Sequence, residues 1–496
     1  MENIVVINCI GASEYVFKQI IHGKSSYSRV TDFARTVPDV SKIIVITDRD
    51  LPSAEGCSVI HKETWTLQTL FETIYEQGKQ FDTMMYIFGD SPLLDINMSL
   101  KMLDNHKRYF AEYTFADGYP GGLTPEIIKP SILPALAKLS EGQTGEIKRD
   151  SLFSVIQKDI NSFDIETEIA PVDLRLLRIQ LSCDTKRNYL LTKRIFDEGD
   201  TDIASIVECI QNKPDLLRTL PSFFNIQIVE QCPQSCFLCP YPVFGENILK
   251  KKGEMRVQDF ESICASVNEF VDDAVISISL WGEPALHSNI VEIVKTAVSF
   301  PRFSLIVETS GIGWSSETLR TIASAAPKNI DWIVSLDAED PDLYAKLRGE
   351  GMDTALSTVE ELFSLFPEHV YVQAVRTNLN EENLETFYRK WKEKTDNIII
   401  QKYDYFSGLL PQRKVTDLSP LKRLPCWHIK RDMVVLLDGT VPMCREDVKQ
   451  SCVLGNAFND SLEELWGRGE QFYREHIQEQ YRPICEQCDE YYTFNF

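Results

Sequence analysis

The sequence predicts an α/β protein in three parts. A doubly wound, mostly parallel sheet comes first, a partial (β/α)6 barrel follows, and a small cysteine-rich domain closes the chain. Three observations predict it. Apolar strands alternate with amphipathic helices from Ile4 to about Arg194, the pattern of a parallel sheet covered by helices. Six more strand–helix units run between 222 and 410, as a barrel or partial barrel requires. Seven of the thirteen cysteines, eight with Cys452, gather in two groups, 232–239 and 426–488.

The totals agree with that picture. A chain of 496 residues has room for three or four domains. Its net charge of −23 argues against a general nucleic-acid binder and against a partner of anionic membranes. No apolar run is long enough to span a bilayer. The opening Met1-Glu-Asn-Ile-Val-Val-Ile-Asn8 lacks a basic segment and reads as a first strand, which predicts a cytoplasmic protein. In that reducing compartment thiols bind metals or catalyse.

In residues 1–194 the strands are Ile4–Ile7, Ser41–Thr47 and Thr83–Phe88. The third runs into Gly89-Asp90-Ser91-Pro92. An acidic residue at the carboxyl end of such a strand lies where open α/β sheets bind ligands, and there it could hold Mg2+ against a nucleotide's phosphates. This run resembles the Gly-Asp-x-Pro segment of sugar-nucleotide and cytidylyl transferases. Gly23-Lys24, Asp117-Gly118-Tyr119-Pro120, Val172-Asp173-Leu174-Arg175 and Cys183 to Tyr189 are similar to later parts of that family. The Gly-rich, Arg-containing loop of those enzymes is missing. Its place is taken by Cys9-Ile10-Gly11-Ala12-Ser13-Glu14-Tyr15, with one Gly and a carboxylate that repels phosphate. The expectation is a degenerate nucleotidyltransferase-like domain that holds a nucleotide or sugar, or docks a partner. Cys9, Cys57, Cys183 and Cys209 share no spacing and read as core or loop residues.

Residues 195–221 read as a helical linker, with Ile203, Ile206, Val207 and Ile210 at helical spacing before Pro214. The barrel strands are expected at Asn225–Val229, Val275–Leu280, Ser304–Val307, Trp332–Leu336, Val370–Val375 and Ile398–Gln401. Val257, Phe260, Ile263, Cys264, Val267 and Phe270 mark one buried helix face, which makes Cys264 core. After the first strand comes Cys232-Pro-Gln-Ser-Cys236-Phe-Leu-Cys239. Three thiols on one loop can share a cluster, and a cubane takes four ligands, so one iron stays open. The alternatives are a partial zinc site, which would want a fourth Cys or His nearby, or structural thiols.

This C-x3-C-x2-C spacing resembles that of radical S-adenosylmethionine (radical SAM) enzymes, in which the open iron binds SAM. The resemblance extends to the strand ends. Trp281-Gly282-Glu283-Pro284 stands where the family's Gly-Gly-Glu receives the methionine amino group, with Trp in place of the first Gly. Glu308-Thr309-Ser310-Gly311 is similar to Thr-Asn-Gly, and Ser335-Leu336-Asp337 follows on the fourth strand. The resemblance implies that Gly282, Glu283, Thr309, Ser335 and Asp337 line the SAM site. It further implies that Ser335 meets the ribose or methionine part and that Arg348 pairs with the SAM carboxylate.

Beyond the sixth strand, Tyr403 and Asp404 could supply a base or substrate contact, or serve only as turn residues. In residues 411–496 a hairpin is expected, Met433–Leu437 and Thr440–Cys444 about Asp438-Gly439. Cys426, Cys444 and the Cys485-x2-Cys488 pair can close a four-thiolate site, for zinc or [4Fe-4S] alike; Cys452 stands apart on a loop. Beside the barrel this pattern resembles a truncated SPASM or Twitch domain, which implies a second, auxiliary [4Fe-4S] cluster on those four cysteines.

The whole resembles the spirochaete spiro-SPASM proteins. The implied activity is cleavage of SAM to a 5′-deoxyadenosyl radical that takes a hydrogen atom from a substrate C–H bond, fed by a donor such as flavodoxin or ferredoxin. Peptide or protein modification is the first expectation. A sugar or nucleotide-linked molecule is the second, and a non-catalytic iron-sulfur scaffold or redox sensor the third.

Overall fold

The computed structural model describes residues 2–21, 23–52, 54–143, 145–199, 201–241, 253–325 and 328–493. The chain forms two compact units, Met1–Thr219 and Leu220–Phe496.

The first unit is built on seven strands: β1 Asn3–Cys9, β2 Val40–Thr47, β3 Cys57–His61, β4 Thr83–Phe88, β5 Tyr113–Asp117, β6 Glu126–Ile128 and β7 Ile165–Ile169. Their order across the sheet is β3-β2-β1-β4-β6-β5-β7. All neighbours are parallel except β6, which runs antiparallel to β4 and β5. Every residue of β1 is buried because helices cover both faces. Ile4 and Val6 enter one core with Ile44 and Phe71, while Val5 and Ile7 enter another with Val30 and Val45. The strand order reverses between β1 and β4, so the ligand crevice of this fold lies at their carboxyl ends. Asp90 follows β4 there, as expected. β3 was not expected: it is a half-exposed edge strand with no continuous apolar run to mark it.

Among the described residues of 195–221 the helical spacing of Ile203, Ile206 and Ile210 falls on one helix. That helix, α1, Ile203–Asn212, buries Ile203, Ile206 and Ile210 against Leu123, Leu181 and Phe196. Asp95 Oδ2 accepts from Ile203 N at 3.0 Å. This helix is therefore part of the first unit's core.

The second unit carries seven parallel strands: β8 Phe223–Ile226, β9 Ala274–Ser277, β10 Phe303–Thr309, β11 Ile330–Ser335, β12 Val370–Arg376, β13 Ile398–Lys402 and β14 Asp432–Val435. Six of them are the expected barrel strands, and the order is β13-β12-β11-β10-β9-β8-β14. Helix α2, Val257–Val271, buries Cys264 in the core as expected.

β14 corrects the expected hairpin. The turn at Asp438-Gly439 forms, closed by Leu436 N on Thr440 O at 2.8 Å, but its two arms pair elsewhere. Residues 432–435 join the barrel sheet in parallel with β8, while β15, Thr440–Pro442, pairs antiparallel with β16, Val453–Asn456. The reason is burial on both faces. Met433 and Val435 pack in the barrel core, and Val434 and Leu436 pack with Leu280 and Trp281. A strand apolar on both sides belongs inside a sheet.

Candidate functional site

The three-cysteine loop is pinned at the carboxyl end of β8 by its backbone. Ser235 N donates to Arg348 O and Phe237 N to Leu347 O, each at 3.2 Å, which ties the loop to the last turn of helix α3, Pro341–Arg348. Burial pushes the Cys232 thiol up to about 11 and Cys239 to about 12, and raises Cys236 as well. Charge on Cys236 raises Cys232, and charge on Cys236 or Cys232 raises Cys239. Thiols so placed keep their protons until a metal centre displaces them.

Arg348 lies beneath this loop and is committed within the chain. Its NH1 meets Asp337 Oδ2 at 2.5 Å and its Nε donates to Gln234 Oε1 at 3.0 Å. Burial opposes its charge, but the adjacent Cys236 and Asp337 more than offset that and raise its pKa. Asp337, with a left-handed φ of 64°, also accepts from Val375 N at 2.7 Å. The pair thus links β11, β12 and α3 to the cysteine loop. The geometry favours a brace over the carboxylate clamp expected of Arg348.

Glu283 is saturated as well. Oε1 accepts from Thr309 Oγ1 at 2.5 Å and Ala285 N at 3.4 Å. Oε2 accepts from Ser310 N at 2.8 Å and Ser310 Oγ at 2.7 Å. A carboxylate offers about four acceptor sites, and all are taken. Thr309 Oγ1 in turn accepts from Trp314 Nε1 and Gly311 N. Gly282 must be glycine: a Cβ there would stand 2.0 Å from Val229 O. Beside it, Glu283 N donates to Gln231 O at 2.7 Å, next to Cys232. Trp281 has φ +49°, the backbone that the family's first Gly would adopt without cost.

Ser335 sits in a polar set that the sequence reading did not single out. Its Oγ donates to Glu308 Oε1 at 3.3 Å, and Gln373 Nε2 donates to both, at 2.8 Å to Glu308 and 3.2 Å to Ser335. These three residues come from β10, β11 and β12. The exposed Glu308 and a Gln inside Val370–Val375 are polar interruptions of apolar strands, and that signal could have found them. Tyr403 is core, with its hydroxyl on Pro411 O at 2.8 Å. Asp404 turns the chain through Phe406 N at 2.8 Å and holds Arg445 at 3.1 Å.

Cys426, Cys444, Cys485 and Cys488 line one small cavity, and Cys452 is not among its lining residues. Burial pushes Cys426 up to about 12 and Cys485 to about 11, and lifts Cys444 and Cys488 further. Among the described residues, no three His, Cys, Asp or Glu side chains converge on one ion-sized point; these four thiols surround a cavity instead. Five buried polar atoms of its lining residues lack a hydrogen-bond partner: Ser407 Oγ, Arg423 Nε, His428 Nε2, Glu446 Oε2 and His476 Nε2. Ser407 Oγ, Arg423 Nε and His476 Nε2 among them can donate, and orphaned donors beside four thiols suit a sulfur-rich group. The donor set therefore fits an iron-sulfur cluster.

In the first unit, Asp90 is neutralised. Arg149 meets its Oδ1 at 2.5 Å and lies 4.3 Å over the Phe88 ring. The transferase-like segments do converge: Cys183 N donates to Asp90 O at 2.7 Å, and Arg175 pairs with Asp117 at 3.0 Å.

Residues 426–489 match the SPASM family, an iron-sulfur cluster-binding domain. An uncharacterized protein of Treponema pallidum (strain Nichols) is 37% identical over 363 residues, 70% of this chain and 98% of that protein. The S-adenosyl-L-methionine-dependent 2-deoxy-scyllo-inosamine dehydrogenase of Niallia circulans is 20% identical over 274 residues, 54% of this chain and 92% of that enzyme. A cytidylyltransferase structure from Leptospira borgpetersenii is 14% identical, covers 43% of this chain and 95% of its own, and has a TM-score of 0.36. Among the described residues no helix is long and apolar enough to cross a membrane. With three cysteines after the first strand of a parallel barrel sheet and a SPASM domain behind it, the chain belongs to the radical SAM enzymes that carry a C-terminal SPASM domain, in one family with its Treponema pallidum relative.

Proposed function

We propose that this enzyme dehydrogenates a small hydroxylated substrate, with Cys232, Cys236 and Cys239 holding a SAM-binding [4Fe-4S] cluster and Cys426, Cys444, Cys485 and Cys488 holding a second. When bound, the first cluster supplies the electron that splits SAM into methionine and a 5′-deoxyadenosyl radical, and the second supplies an acceptor for the electron left on the substrate. The observation that carries this reading is the join of β14 to β8. It hangs the two cysteine sets from neighbouring parallel strands of one sheet.

The chain's own groups do the rest. Gly282, Glu283 and Thr309 wall the methionine part of SAM; Glu283 acts by fixing the strand ends, since it has no free oxygen. Ser335 and Gln373 orient ribose or substrate hydroxyls. Glu308, the exposed carboxylate of that set, receives the proton as the substrate loses a hydrogen atom, a proton and an electron in turn. Asp337 and Arg348 hold the cysteine loop. Asp404 positions Arg445 between the barrel and the SPASM cavity.

The Niallia relative, named for an aminocyclitol, supports the hydroxylated substrate; peptide modification is the alternative. In the first unit, an Asp90 already paired with Arg149 supports a domain without metal-dependent transferase activity. The test is anaerobic reconstitution, with iron and sulfide counted and SAM and dithionite added. About eight irons and 5′-deoxyadenosine carrying deuterium from a labelled aminocyclitol or sugar are expected. Label arriving only from peptides moves the assignment to the alternative. Two intact cubanes that never yield 5′-deoxyadenosine indicate a scaffold or sensor.

A further inference from the structure

Two of the orphaned groups in the SPASM cavity are donors whose protons are fixed in place. Cys426 N–H donates to His476 Nδ1 at 3.4 Å. A backbone N–H can only donate, so Nδ1 carries the lone pair and the ring proton sits on Nε2. The ring is 4% exposed and edge-on to Tyr481 at 5.0 Å, with no room to seek another partner. The Arg423 guanidinium lies 4.0 Å from the Tyr481 ring centroid and 4.6 Å from that of Tyr491. Its NH2 donates to Cys485 O at 2.6 Å, while Nε meets no partner among the described residues. A buried donor left unpaired is destabilising, and here two are left so at one cavity lined by four thiols.

We propose that His476 Nε2–H and Arg423 Nε–H donate N–H···S hydrogen bonds to the cluster held by Cys426, Cys444, Cys485 and Cys488 and raise its reduction potential. The inference rests on the second cluster of the preceding reading. Donors to cluster or ligand sulfur, and a fixed positive charge, stabilise the more negative reduced state. They oppose Asp404, Glu446 and Glu490, the carboxyls gathered around Arg445. His428 lines the same cavity but is anchored elsewhere, its Nδ1 facing Asp432 Oδ2 at 2.6 Å. Both donors are positioning residues, acting through the cluster.

The test uses the full chain carrying Cys236→Ala, which leaves the auxiliary cluster as the one titrated by electron paramagnetic resonance. His476→Phe and Arg423→Leu should each lower the reduced-to-oxidised ratio at a fixed potential about tenfold, equivalent to about 59 mV for a one-electron couple. His476→Gln, which retains an N–H, should titrate like the parent. A Phe variant that loses its iron while the Gln variant keeps both iron and parental potential also supports the donor role. Parental potentials in the fully loaded Phe and Leu variants overturn it, as does a Gln variant displaced as far as Phe. A parent holding far less than about four irons refutes the second cluster itself, and the iron count reveals that before any potential is read.

Discussion

Arg348 and Asp337 form an ion pair at 2.5 Å, with side chains 9% and 0% exposed, beneath the C-x3-C-x2-C loop. Removing one partner of such a pair strands the other as an uncompensated buried charge, which costs about 3–5 kcal/mol. Arg348→Met should lose that much stability in urea. The double variant Arg348→Met with Asp337→Leu should recover part of the loss, because an apolar pair no longer strands a charge. A single variant that costs under about 1 kcal/mol would refute the brace.

Trp281 gives a prediction of inverted sign. Its indole packs with Leu280, Val434, Leu436 and Val448, so truncation should cost about 3–5 kcal/mol. Its φ of +49° separately penalises any residue with a Cβ, by about 1–2 kcal/mol. At an ordinary extended position Gly is less stable than Ala. Here Trp281→Gly should be more stable than Trp281→Ala by about 1 kcal/mol. Comparison of the two midpoints in urea checks it, and an Ala variant equal to or above Gly removes the strain argument.

These residues show what the sequence reveals and what it hides. Cysteine spacing and apolar runs are local signals, so both cysteine groups and six barrel strands could be read directly. Gly282 and Trp281 could be placed at a strand end, yet the close approach to Val229 O that requires the glycine is a contact between strands. β14 was read as a hairpin arm because Asp438-Gly439 is a strong local turn. Its pairing with β8, some 200 residues earlier in the chain, is settled by burial on both faces. Glu283, at a strand end, and Arg348, at the end of α3, were expected to face SAM because the family resemblance implies it. Their partners Asp337, Thr309 and Ser310 were visible in the same motifs, but not the fact that these would saturate them. Gln373 escaped as a lone polar residue within an apolar strand, and Glu308, quoted only as part of its strand end, because its partners lie on two other strands.

Asp90 tests the first unit. With Arg149 on its carboxylate at 2.5 Å and Arg149 also donating to Ser91 Oγ at 3.1 Å, millimolar Mg2+ or Mn2+ should leave the thermal midpoint of the wild-type protein unchanged. Arg149→Met uncovers the carboxylate, and Mn2+ should then stabilise the variant; saturation at a hundredfold over Kd corresponds to about 2.7 kcal/mol. A wild-type response to metal that Asp90→Asn abolishes would show that the ion pair opens and that the metal site is intact.

Glu126 predicts a pH dependence. It lies on β6 with Tyr113 donating to Oε1, while Oε2 is buried without a partner. Burial pushes its pKa from 4.5 up to about 7, and Tyr113 and Arg149 only partly oppose the shift. The folded state thus holds this proton more tightly than the unfolded state does. The resulting stabilisation is complete below pH 4.5 and is lost as pH rises through about 7. A displacement of that size corresponds to about 3 kcal/mol. Glu126→Gln has no proton to lose, so its stability relative to wild type should rise between pH 5 and pH 8 by an amount of that order. Paired urea titrations at the two pH values measure the difference. A gap that stays constant with pH would mean that Glu126 ionises in the folded unit at an ordinary carboxylate pKa.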